Sequence, residues 1–360
     1  MTILAKLSRE ARERLSSDVV IYVFIALYTV AGLGAMYATG TSNLAAYMPY
    51  LSKWIFLFLI TFPALTVLFD TVAAVHRFDN RRKLVFSRVF GPKRVVHLVS
   101  GMLLGMTLIF FQGTFTSLKN AMFQWNGSFR YDELHATIDN WLHFGHDPWR
   151  FVEPLIANDT VLYLMEFNYN RIYFTICFST LFFIMTSPKA NKYRLHYVIC
   201  FMLSWIVIGN ILAGIFLSAG PAYYGLVTGD EMRFAPLLAH LQDGVGNNDS
   251  TIRIQSYLWD QHVAGTPKFA TGISAFPSVH VALISMNALF AFEVSRRLGW
   301  IMVLYATTIF LSSIALGWHY AIDGYVSVVV VAAVYYGLGA LLRSKRFIDG
   351  GALLQTAPVS

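Results

Sequence analysis

Eight apolar runs, each about as long as a bilayer is thick, divide this sequence and leave few folds open to it. They cover residues 19–39, 54–75, 96–116, 169–187, 196–218, 273–293, 299–317 and 320–342. A helix needs roughly 20 apolar residues to cross the hydrocarbon core, and in lipid only a helix or a closed barrel satisfies its own backbone. The pattern predicts an all-α, polytopic membrane bundle of about eight transmembrane helices. Only 13% of the residues are charged and 56% are hydrophobic, against about 25% charged in ordinary soluble domains, which excludes a pair of such domains. The formal charge of +7 does not mark a nucleic-acid partner, because the basic residues alternate with the apolar runs instead of clustering.

That alternation sets the orientation. Lys and Arg number 19 on one set of alternate segments and 6 on the other. Basic segments stay cytoplasmic, so both termini are expected inside and the segments 117–167 and 222–271 outside. The division that follows is a basic leader 1–18, helices one to three in 19–116, an outer segment 117–167, catalytic helices four to eight over 168–342 and a tail 343–360. The leader, with Lys6, Arg9, Arg12 and Arg14, is expected to lie on the membrane as an amphipathic helix. It precedes an apolar run long enough to span, which reads as a signal anchor and not a cleaved signal peptide. The basic loop 76–95 holds Arg77, Arg81, Arg82, Lys83, Arg88, Lys93 and Arg94. Asp70 is expected to snorkel or to pair with one of these residues, and Gly101 and Gly105 to allow close helix packing. Cys177 and Cys200 lie inside apolar runs, as buried thiols do.

Ionisable groups inside such runs are costly and mark function. Residues 276–280 read Phe-Pro-Ser-Val-His, and residues 317–323 read Gly-Trp-His-Tyr-Ala-Ile-Asp. His280 and His319 therefore stand at the same, outer ends of adjacent helices. His319 and Asp323 are four apart, one helical turn, so the carboxylate can fix the imidazole tautomer and stabilise its cation. A metal site needs more ligands; His135, His143, His146, His240 and His262 match no metal spacing, so neither metal nor cofactor is expected. A serine hydrolase using Ser278 lacks the Gly-x-Ser-x-Gly elbow. Phosphoryl transfer through one imidazole, with the second protonating the leaving oxygen, fits the three residues, beside the alternative that both histidines are structural.

Pro277-Ser278-Val279-His280 and Ser312-x6-His319-x3-Asp323 resemble the second and third motifs of the type 2 phosphatidic acid phosphatase superfamily. That resemblance implies a core of about six spans with the site at one membrane face. It also implies His319 as nucleophile, Asp323 as its orienting partner and His280 as the acid. Val279 replaces the motif glycine, Ser313 replaces the motif arginine, and no Arg-Pro of the first motif occurs. Within the superfamily, His319-Tyr320-Ala321-Ile322-Asp323 is similar to the sphingolipid-synthase branch exemplified by the fungal inositol phosphorylceramide synthase (the aureobasidin-resistance protein). Residues 143–149 and Gly220-Pro221-Ala222-Tyr223-Tyr224 resemble segments flanking that branch's site.

The missing cations leave phosphate to be held by others. Ser278 and the backbone N–H groups of its helix are candidates, as are Lys268, Arg253, Arg233 and Arg150, with Lys268 preferred as nearest in sequence to His280. Gly220, Pro221 and Tyr223 complete the expected substrate-binding set. Trp125, Trp141, Trp149, Tyr223 and Tyr224 are expected at headgroup level, as a cover over the site or an interfacial belt. Asn126, Asn158 and Asn248 stand in Asn-x-Ser/Thr triplets. The expected partners are lipids. The expected activity is transfer of a phosphorylated head group to an acceptor such as ceramide or diacylglycerol at the outer face. A lipid phosphate phosphatase and a non-catalytic transporter or scaffold are the alternatives.

Overall fold

The computed structural model describes residues 3–77, 91–243 and 250–355. Arg81, Arg82, Lys83, Arg88 and Asn248 lie outside the described residues, as do the side chains of Arg77, Lys345 and Arg346. Every regular element among the described residues is helical. Helix α1 is Ile3–Ala38; α2 passes from Met48–Ile55 through a π-helical stretch, Phe56–Thr61, into Phe62–Arg77; α3 is Pro92–Asn126. Two short helices follow, α4 (Asp132–Leu142) and α5 (Trp149–Ile156). Helix α6 joins Asp159–Phe167, a π-helical Asn168–Ile172 and Tyr173–Thr186, and α7 joins Arg194–Ile206, a π-helical Val207–Leu212 and Ala213–Ile215. The chain continues through α8 (Ala235–Asp243), α9 (Thr251–Val263), α10 (Val279–Val294), α11 (Arg296–Ala315) and α12 (Ala321–Gln355).

Among the described residues six helices are long and apolar enough to cross a membrane: Leu7–Ala38, Ser42–Ala73, Pro92–Asn126, Arg194–Ile215, Arg296–Ala315 and Ala321–Ser344. The other two expected spans fall on α6 and α10. Helix α10 has only 16 residues, about 24 Å of rise. It starts at Val279 and not at 273 because a proline disfavours helical backbone in the residue before it, here Phe276, and because Ser278 caps the helix, its Oγ accepting from the Val281 N–H at 3.4 Å. Apolar around its whole circumference, α10 takes the central place, packed against α11, α12, α7 and the last stretch of α6.

Small residues and ion pairs close the N-terminal helices onto this core. A side chain on Gly101 would collide with Thr186 and the Met185 backbone, and one on Gly105 with the Phe58 ring; Trp54 Nε1 donates to the Gly105 carbonyl at 2.7 Å. Asp70 pairs with Arg94 at 2.7 Å. Both cysteines are buried.

Three segments differ from the sequence expectation. The leader is no separate surface helix: it runs unbroken into α1, and Asp18 accepts from buried Arg194 at 2.9 and 2.5 Å while Arg14 donates to Asn191. Segment 117–167 is mostly helical, not loop. Helix α3 continues to Asn126 and stops where Gly127 takes a left-handed φ of 75°, as helix C-termini commonly do, and Asn158 caps α6 by accepting from the N–H groups of Thr160 and Val161. Beyond 343, α12 continues to Gln355 instead of giving way to a tail.

Candidate active site

The short connection between α11 and α12 presents His319. Gly317 adopts φ 69°, and the N–H groups of Trp318 and His319 both donate to the Ser313 carbonyl, at 3.0 and 3.2 Å. The turn is therefore tight enough for Asp323, in the first turn of α12, to meet the imidazole. Asp323 Oδ2 accepts from His319 Nδ1 at 3.0 Å and from the Tyr320 N–H at 3.0 Å. The carboxylate is fully buried. Burial favours the neutral imidazole of His319, and the charge of Lys119 works in the same direction. Nδ1 faces the carboxylate, which favours the proton on that nitrogen, and the backbone of Ala275 also meets the ring and favours its protonation.

His280 stands in the first turn of α10 with its ring on an aromatic wall from α6. It lies nearly parallel to Tyr169, centroids 4.7 Å apart, with Tyr173 at 4.6 Å and Phe174 edge-on at 5.2 Å. The starts of α10 and α12 are joined directly, the Ser278 N–H donating to the Asp323 carbonyl at 3.3 Å. His280, His319 and Asp323 thus gather at one end of the bundle. Ser278, fully buried, acts as the helix cap.

Sequence reasoning missed the carboxylates of α4, which hold this end together. Asp139 accepts from the N–H groups of Ala321 and Ile322 at 2.6 and 2.8 Å, capping α12. Asp132 accepts from the N–H groups of Ala219 and Gly220, both at 2.8 Å, and from the Tyr320 hydroxyl at 2.8 Å. Burial raises both carboxyls, that of Asp139 to about 6. Between them His135 bonds Ser218 Oγ at 3.2 Å and stacks on Phe276 at 4.3 Å; burial lowers it to about 4. The spacing of 132, 135 and 139 along one helix face was the available signal.

Gly220, Pro221 and Tyr223 frame the His319 loop. Gly220 sits at φ 100°, where a Cβ would lie 2.8 Å from the Trp318 carbonyl oxygen, and the Ala222 N–H donates to the Gly317 carbonyl at 2.9 Å. Pro221 is buried at the start of a short turn, and Tyr223 bonds the Gln255 carbonyl at 3.0 Å while stacking on Trp259.

The expected cations are elsewhere occupied or turned outward. Arg233 is committed to Asp147 at 2.7 Å and to the Ala136 carbonyl at 2.7 Å. Lys268 is exposed in a turn closed by Thr271, Arg253 is exposed on α9, and Arg150 is exposed against the Trp149 ring. Lys119 on α3, partly buried, is the cation whose charge acts on both His280 and His319. The loop before α10 closes over it: Gly272 lies so near that a Cβ would stand 2.9 Å from Lys119 Cγ. Against His319, between Asp139, Trp149, Pro221 and Phe234, a space of only about 10 Å³ remains, roughly what one water needs.

Across α4 to α12 the chain matches the family model described as the PAP2 superfamily, over residues 133–337, more than half of the 360 residues. No curated protein and no solved structure matches it.

Proposed function

The chain belongs to the PAP2 superfamily, and from that premise we propose that it is a lipid phosphotransferase of the sphingolipid-synthase type. The reading includes eight spans, six long helices plus α6 and α10, with the histidines at the extracytoplasmic face that the distribution of basic residues implies. His319 Nε2 attacks the phosphorus of a donor phospholipid, the bond from phosphorus to the glycerol oxygen breaks, and His280 protonates the departing oxygen. Asp323 stabilises the cationic phosphohistidine. His280 then takes the proton from a ceramide or diacylglycerol hydroxyl, which attacks phosphorus and frees His319. Lys119 and the N–H groups at the start of α10 would offset the phosphate charge. The observation that carries this reading is the bond of 3.0 Å from His319 Nδ1 to Asp323 Oδ2, which sets the imidazole against the carboxylate that would stabilise its phosphorylated form.

The test incubates the purified protein with phospholipid labelled at its head-group phosphate, with and without an acceptor lipid. Expected are acid-labile label on the protein, absent in His319→Asn, and labelled product only when acceptor is present. Full activity in His319→Asn would end the phosphohistidine mechanism. Release of labelled head group into water without acceptor would make the protein a hydrolase.

A further inference from the structure

At the end of the bundle opposite the histidines, a cleft of about 630 Å³ opens between α7, α10 and α12. Helix α10 links the two ends: Glu293 at the cleft lies thirteen positions after His280, roughly 20 Å of rise. The interior is apolar and aromatic, with Leu289, Phe292, Tyr335 and Leu342 among its lining. Two of its polar groups are already engaged within the wall. Glu293 accepts from the Tyr335 hydroxyl at 2.7 Å, and His196 bonds the Tyr335 carbonyl at 2.9 Å while stacking on its ring. Lys192, its Nζ 4.4 Å from the centre of the Tyr193 ring, and Arg343 stand at the rim, both exposed and neither ion-paired with another described residue.

We infer that this cleft binds an anionic phospholipid from the leaflet opposite the histidine site. Two cations over an apolar cleft at the end of a membrane helix bundle match a phosphate head joined to acyl chains, and basic pockets between membrane helices bind such head groups. The volume lies in the range of ligand sites, about 300–1,000 Å³, and exceeds what a phosphate alone would fill. Exposed Tyr336 continues the wall outward, toward where acyl chains would leave. The inference does not depend on the chemistry assigned to His319.

Native mass spectrometry of the full chain, titrated with phosphatidylglycerol or phosphatidylcholine of the same acyl chains, tests it. One phosphatidylglycerol should be retained per chain with a preference of at least roughly tenfold, at about fivefold per cation. Lys192→Glu with Arg343→Glu should remove the preference, whereas Arg9→Glu, at an exposed surface pair, should leave it intact. Gly339→Leu offers a second variant without charge change: its Cβ would stand 3.2 Å from the His196 ring and 3.8 Å from Arg343 Nη2, so its side chain should crowd the cleft and weaken both lipids. Equal retention of the two lipids by the unaltered protein overturns the inference, as does an unchanged preference in the double charge variant together with unchanged retention of both lipids in Gly339→Leu. Displacement by excess glycerol 3-phosphate would make this a site for soluble phosphate compounds and overturn the lipid assignment. Persistence of the preference in His319→Asn would separate this outcome from that of the transfer reaction.

Discussion

Asp139→Ala probes how the catalytic end is held. The substitution leaves two buried N–H groups, of Ala321 and Ile322, without acceptors, at about 1–3 kcal/mol each. Part of that loss is offset. Burial raises Asp139 from 3.8 to about 6, so keeping it ionised at neutral pH costs about 3 kcal/mol. The net destabilisation at pH 7.5 should be about 3 kcal/mol or less. Its pH dependence is distinctive. The folded chain binds this proton more readily than the unfolded one, so the unaltered protein gains stability as pH falls from about 6 toward 3.8. The variant lacks that gain, and its deficit should grow by about 1 kcal/mol between pH 7.5 and pH 5, measured by thermal unfolding in detergent. Because the first turn of α12 also carries Asp323, fraying it should lower kcat roughly 10- to 100-fold with little change in KM. Asp139→Asn, whose amide oxygen can still accept one N–H, should restore most of the rate. An Asp139→Ala protein with unaltered melting at both pH values and an unaltered kcat would refute the reasoning.

Lys119→Met should lower kcat/KM roughly 100-fold, with partial recovery in Lys119→Arg. Removing its charge eases protonation of His319, so the acid limb of the pH–rate profile should move to higher pH; an unchanged rate, or movement to lower pH, would exclude the role. Arg233→Ala should destabilise the fold by about 1–3 kcal/mol yet leave donor KM within roughly twofold, and Asp147→Asn combined with it should add little. A rise in KM without loss of stability would return Arg233 to the phosphate.

Hydropathy made the spanning helices legible, and the four-residue spacing made the His319–Asp323 contact legible, because both are local properties of the chain. What stayed hidden depends on tertiary partners. Asp132 and Asp139 read as polar residues of an outer segment, since nothing local says that their acceptors will meet backbone N–H groups some 90 and 180 positions away in sequence. Lys119 was hidden by an expected span ending at 116, although no helix breaker precedes Gly127 and the helix carries it onward to the histidines. The reverse error placed α10 too early, where hydropathy outran the stop imposed by Pro277 and Ser278. Arg14 belongs to a leader expected at the membrane surface, because a charged leader carries no mark of the buried Arg194 that its Asp18 meets.

Two helix N-termini face the candidate site, and they are not equivalent. The N-terminal N–H groups of a helix favour a negative charge. At α12 that charge is already present: Asp139 takes the N–H groups of Ala321 and Ile322, and Asp323 sits in the first turn. A phosphate there would meet two carboxylates. At α10 the cap is the neutral hydroxyl of Ser278, and no acidic residue lies in the first turn. The site therefore divides its electrostatics, with carboxylates fixing the loop that carries His319 and the start of α10, with Lys119 beside it, left to an anion. On the proposed reading, this division would serve a superfamily member with Ser313 in place of the motif arginine: one lysine from α3 and one helix terminus without an acidic cap would meet the phosphate charge.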